Sequence, residues 1–220
     1  MKTLAILGLG LLLGLRHATD PDHVVAIAAI TARARGTLAA TWLGIAWGIG
    51  HTLTLFLTGA AIILFNLAVP PRVGLSLEFA VALALVTVGL LNLKRSRAVT
   101  PGDASIAAGR APTRRAFAVG LVHGLAGSAA VALLVLATIH DPRWACGYLL
   151  VFGVGTIAGM AIITTSMAAP LGLAARRWSG LGGRVRLVTG VISLAFGVWL
   201  AYQIGWVDGL FLAAPTWTPH

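Results

Sequence analysis

"LRHATDPDHV", residues 15–24, decides how the rest of this chain is read. It holds Arg16, His17, Asp20, Pro21, Asp22 and His23, and apolar sequence runs on both sides, from Leu4 to Leu15 and from Val24 to Ile30. Only 10% of the 220 residues are charged, so five ionisable groups gathered between Arg16 and His23 need a cause.

Outward from that stretch the chain is apolar. It is 58% hydrophobic, with a mean hydropathy of +0.93, where a soluble domain is about half apolar. Five further stretches, at about 38–66, 73–93, 116–139, 145–172 and 187–206, carry almost no charge, and each is long enough to cross a hydrocarbon core of about 30 Å as a helix. Barrel strands are far shorter and alternate. The expected fold class is an all-α polytopic membrane protein with six transmembrane helices, in a bacterial-type plasma membrane and in contact with its lipid bilayer.

The net charge of +10 is distributed as loop charge, which argues against a nucleic-acid partner. Twelve of the sixteen Lys and Arg fall in three connecting segments: Arg33 and Arg35; Lys94, Arg95, Arg97, Arg110, Arg114 and Arg115; and Arg176, Arg177, Arg184 and Arg186. The alternate segments hold Lys2, Arg72 and Arg143. Basic loops stay cytoplasmic, so both termini are expected outside. Residues 3–32 must then cross once, as a helix interrupted at the His/Asp motif. The opening "MKTLAILGLGLLLGL" has a signal-peptide outline, but Arg16-His17-Ala18 is a poor cleavage site, and the segment is expected to stay. The single cysteine, Cys146, excludes an internal disulfide and a two-thiol relay.

The chain divides at residues 94–115, a basic stretch rich in Pro, Gly and Ala that reads as a cytoplasmic linker. Residues 1–93 and 116–206 then hold three helices each, and 207–220 form an outer tail. "GLRHATDPDHV" aligns with "GLVHGLAGSAA", His17 over His123, and "WGIGHTLTLFLTG" aligns with "FGVGTIAGMAIIT", Gly48 over Gly153. Three helices per half make the halves run in opposite directions, which is the inverted-repeat plan of secondary transporters.

An ionisable group within a membrane helix costs several kcal/mol unless it is paired, solvated or bound to an ion. His17, Asp20, Asp22 and His23 offer imidazole and carboxylate, which suit Ni2+, Co2+, Zn2+ or Fe2+. The Asp20-Pro21 pair reads as a helix cap and first residue, starting a new helix after an unwound stretch. The alternative for residues 16–23 is a solvated loop, which the charge distribution opposes. His51 and His123 lie inside apolar spans and are candidates to complete the site or line a path. Arg16 would orient an aspartate. Thr52, Glu78 and Thr156 are further path candidates, and Asn92 a weaker one. Thr156, Thr164, Thr165 and Ser166 read more readily as hydroxyls bonded to helix carbonyls. His140 and Asp141 precede Pro142 in an outer turn.

These residues resemble a known pattern. "RHATDPDHV" resembles the signature of the nickel/cobalt transporter (NiCoT) family, Arg-His-Ala-x-Asp-Ala-Asp-His-Ile, and "GIGHTLTL" resembles that family's second motif, Leu-Gly-His-Ser-Thr-Val-Val. The resemblance implies metal selection and transport by His17, Asp20, Asp22 and His23, with His51 in support. Pro21 stands where the family has Ala, and Val24 where it has Ile. Typical members have eight helices with the motif on the second; here it lies on the first. The chain is more similar to the compact permeases grouped as urease-accessory or hydrogenase-accessory.

The function expected is a secondary permease for a divalent metal cation, Ni2+ before Co2+, with no prosthetic group and no enzymatic activity. No ATP-binding G-x-x-x-x-G-K-[ST] motif is present. The alternatives are a small-solute or amino-acid exporter on the same plan, and an accessory subunit that hands metal to a metalloenzyme-maturation partner. A homo-oligomer is left open. An intramembrane metallohydrolase would want a base such as that of H-E-x-x-H, and Glu78 is the sole glutamate.

Overall fold

The computed structural model describes residues 2–32, 36–65, 70–97, 111–124, 139, 141–177 and 181–217, and every regular element among them is helical. In order these are α1 (Lys2–His17), α2 (Pro21–Thr31), α3 (Thr37–Phe65), α4 (Pro71–Arg97), α5 (Ala111–His123), α6 (Pro142–Arg177) and α7 (Leu181–Tyr202), the last closing in a π-helical turn, Gln203–Val207. Helices α3, α4, α6 and α7 are long and apolar enough to cross a membrane. Helices α1 and α2 are shorter apolar pieces. They follow one another across Ala18–Thr19–Asp20, so the first segment is interrupted at the His/Asp motif.

Pro21 makes that break. A proline at the first helical position lacks only an N–H that would be unbonded anyway, and the residue before it is pushed towards extended backbone. Asp20 is extended accordingly, with φ −60° and ψ 144°. The fourth predicted span, 116–139, is described as far as Gly124; residues 125–138, and His140, lie outside the described residues.

Two helices run into the segment read as linker. Helix α4 continues through Lys94–Arg97 and α5 begins at Ala111, leaving 98–110 outside the described residues. The apolar run ends before the helix does, because Lys and Arg are good helix formers. Helix α6 likewise exceeds its apolar stretch at both ends and keeps Pro170 inside.

Large apolar side chains face outward along the long helices, among them Leu57, Leu83, Val154, Ile162 and Val191. Such a surface is a liability in water and a match for lipid tails. Inside, glycines set how closely helices approach. On α1, Gly14 lies against the backbone of Phe152 and Thr156 on α6, and Gly155 on α6 lies against the backbone of Leu11 and Leu15. On α5, Gly120 lies against Trp47 and His51 of α3, and Gly50 on α3 lies against Phe117 and Leu121. A Cβ at any of the four would meet a neighbouring main chain. Members of the second set stand 105 or 106 positions from their counterparts in the first: Gly14 with Gly120, Phe152 with Trp47, Thr156 with His51, Gly155 with Gly50.

Among the described residues, two buried polar ties fasten α4 to its neighbours. The Asn92 side-chain amide donates to the Ala29 carbonyl at 2.8 Å, fastening α4 to α2. Ser193 on α7 donates to the Leu85 carbonyl of α4 at 2.8 Å. The tail returns over α4: Arg72 donates to the Leu212 carbonyl at 3.3 Å, and Trp217 donates to Glu78 at 2.9 Å.

Candidate metal centre

The site is assembled from the break outward. An aspartate at a helix N-cap ordinarily accepts a hydrogen bond from one of the first free N–H groups. Asp20 holds the N-cap position, yet its side chain makes no capping bond. Its carboxylate instead accepts from Nδ1 of His17, the last residue of α1, at 2.8 Å. Asp20 thus holds the N-cap position before Pro21, as the sequence reading has it, with its side chain given to an imidazole. That bond holds Nδ1–H and turns the His17 Nε2 lone pair inward, as carboxylates do behind metal-binding histidines.

Four histidines converge there. His51, from the middle of α3, places Nε2 at 3.0 Å from Nε2 of His17. His23, in the first turn of α2, donates from Nδ1 to the His17 carbonyl at 3.0 Å. His123, the last residue of α5, donates from Nε2 to Asp22 at 3.0 Å. His23 is central, with ring centres 4.6 Å from His17, 4.9 Å from His51 and 5.0 Å from His123. His17 is 5% exposed, and His23, His51 and His123 are fully enclosed.

Two overlapping triads can each surround an ion. One is His17, His23 and His51; the other is Asp22, His23 and His123. Within each, one donor atom per residue lies within 4.8 Å of the others. Three ring nitrogens in this enclosure have no hydrogen-bond partner: His23 Nε2, His51 Nδ1 and His123 Nδ1. A buried polar atom left bare costs about 1–3 kcal/mol, so several together in one enclosure call for a partner. Neutral imidazoles with a carboxylate are donors for a divalent transition metal.

Among the other sequence candidates, Arg16 is exposed and, among the described residues, makes no ion pair with an aspartate. Thr52 donates to the Gly153 carbonyl at 3.3 Å. Thr156 is buried and bonds the Phe152 carbonyl of its own helix at 3.0 Å; Thr164 and Thr165 likewise bond carbonyls one turn back. Glu78 accepts from Trp217, and neither triad includes Thr52, Thr156 or Glu78.

Sequence reasoning passed over Trp47. Its ring is fully buried, edge-on to His23 at 5.4 Å and to His123 at 5.3 Å, and its N–H is unpartnered. The available signal was its position one turn before His51 in "WGIGH", which puts both on one helix face.

With that geometry in place, one relative is informative. The urease accessory protein UreH of Bacillus sp. (strain TB-90) is 37% identical, over 94% of this chain and 95% of its own length. The chain belongs to the UreH family. A match along essentially the whole of both chains fits the compact urease-accessory type, not a full nickel/cobalt transporter. No protein-family model and no solved structure matches this UreH-family chain.

Proposed function

We propose that this UreH-family chain is a secondary permease for a divalent transition-metal cation, Ni2+ first and Co2+ second, in a bacterial-type plasma membrane. The observation that carries the reading is the enclosure of four histidines and Asp22 at a broken apolar helix, with three ring nitrogens left bare. His17, His23 and His51 ligate the ion, Asp20 holds His17, and Asp22 supplies negative charge. The relative's name ties the family to urease and so to nickel.

The permease has six spans arranged as two inverted three-helix repeats, with both termini outside. Supporting this are the matched glycine contacts of α1 with α6 and of α5 with α3, at offsets of 105 and 106, and the alternation of basic loops. The halves rock about the histidine cluster, driven by an ion gradient or the membrane potential. The chain moves its ion without catalysis; the sequence carries no H-E-x-x-H base, and Glu78 is its sole glutamate.

Radioactive Ni2+ flux into proteoliposomes tests this, with His23→Ala as paired control and Mg2+ as competitor. The expected result is saturable flux, lost in the variant and untouched by Mg2+. Absence of both flux and Ni2+ binding would overturn the reading in favour of a small-solute exporter. The relative's description as an accessory protein favours a second reading, metal delivery to a urease-maturation partner. Binding without flux by the purified chain is its signature.

A further inference from the structure

The cluster holds more donors than one ion between His17 and His51 needs. His123 belongs to the second half of the chain, yet it reaches the motif through Asp22, a residue 101 positions away. Together with His23 these two make the second triad, which shares only His23 with the first. The ring centres of His51 and His123 are 6.5 Å apart, with His23 between them.

A neutral imidazole has one ring-plane lone pair, so His23 can ligate one ion at a time. Here Nδ1–H is held by the His17 carbonyl, which leaves Nε2 as the lone-pair atom, and that atom has no partner. The bare Nδ1 of His123 points to a donor not used in holding Asp22. Trp47 lies edge-on to both His23 and His123, an apolar wall along the second triad.

We propose that the two triads are successive stations for a single ion, with His23 retained as ligand in both. This rests on the permease reading above. At one station the ion is held by His17, His23 and His51, all from α1–α3. At the other it is held by Asp22, His23 and His123, and so engages α5. Exchange replaces two imidazoles by one imidazole and a carboxylate while His23 stays bound. An ion that always keeps a ligand avoids the large penalty of a bare charge in a dry interior. His123 is then a transfer ligand, distinct in role from His51.

The test combines equilibrium Ni2+ binding to the full-length purified chain with Ni2+ flux in proteoliposomes, for wild type, His51→Ala, His123→Ala and His123→Asn. Wild type saturates at one Ni2+ per chain. His51→Ala weakens binding by at least about tenfold, the scale on which metal sites respond to a lost supporting group. His123→Ala keeps affinity within about threefold, while maximal flux falls at least about tenfold, a loss in turnover rather than in binding. His123→Asn keeps an N–H for Asp22 without an imidazole and stays slow; it also stands in if the alanine variant does not fold.

Two ions per chain at saturation would overturn the single-ion path. So would an affinity loss in His123→Ala as large as in His51→Ala, which makes one site of the two. Flux restored by His123→Asn would overturn it too, by making His123 a support for Asp22. Failure of the permease reading is separate and is read from wild type alone, as neither binding nor flux.

Discussion

The chain starts two helices with Asp-Pro, and the two aspartates do different things. At Asp141-Pro142 the carboxylate accepts the backbone N–H of Arg143 at 2.8 Å, an ordinary cap at the head of α6. At Asp20-Pro21 the carboxylate turns back to His17 at 2.8 Å and leaves the head of α2 without a side-chain cap. The Asp-Pro pair is the same, but the residues around it are not: His17 stands three positions before Asp20. What differs is the neighbour: a buried imidazole stands where Asp20 can reach it. A cap forgone is a stabilisation of about 1 kcal/mol given up, and natural chains do this where function requires it.

The largest effect is expected from removing that neighbour. His17→Ala takes away one ligand and the partner of Asp20, and Ni2+ affinity should fall by about 100-fold or more, measured by isothermal titration. An unchanged affinity would leave Asp20 with no metal-related reason for its diversion.

Next, Asp20→Asn keeps a side chain able to cap α2 but loses the charge behind His17. Affinity should drop by about 10- to 100-fold, with the thermal midpoint little changed. Asp141→Ala should do the reverse. It removes a cap, costs about 1 kcal/mol of stability, and leaves Ni2+ affinity within about twofold, since it is no part of the cluster. A thermal scan beside a titration on both variants separates the roles; similar profiles for the two would erase the distinction.

The smallest effect belongs to Thr156→Ala. Thr156 occupies the position in α6 that His51 occupies in α3, 105 residues earlier, yet its hydroxyl bonds only its own helix. Affinity should stay within about twofold, because such back-bonding contributes little. A tenfold loss would put Thr156 on the ion path after all. The matched pair makes a wider point. The packing scaffold of Gly14, Gly50, Gly120 and Gly155 recurs in both halves, while the clustered His and Asp donors are concentrated in the first.

Much was legible in the sequence because it depends on residues close together along the chain. Hydropathy identified the apolar helices, since burial in lipid is decided by each segment's own side chains. Pro21 located the break between α1 and α2, since proline acts on its immediate neighbours. The density of His and Asp in residues 17–23 marked the candidate site. His51 and His123 stood out as ionisable groups in apolar spans, but nothing local said that they meet. The ends of α4 and α6 ran past the apolar stretches, because hydropathy reports lipid contact and not helix length.

The sequence by itself thus determined an apolar helical chain, broken once at a cluster of metal-type donors. Tertiary structure alone decided that Trp47 walls the cluster and that His123 closes on Asp22 from 101 residues away. The physical reason is range. Helix formation and lipid preference are set over a few residues, whereas a metal-binding enclosure depends on ångström-scale distances between separate helices. Those distances come from glycine contacts such as Gly50 against α5 and Gly120 against α3, which bring His51 and His123 to the same broken helix.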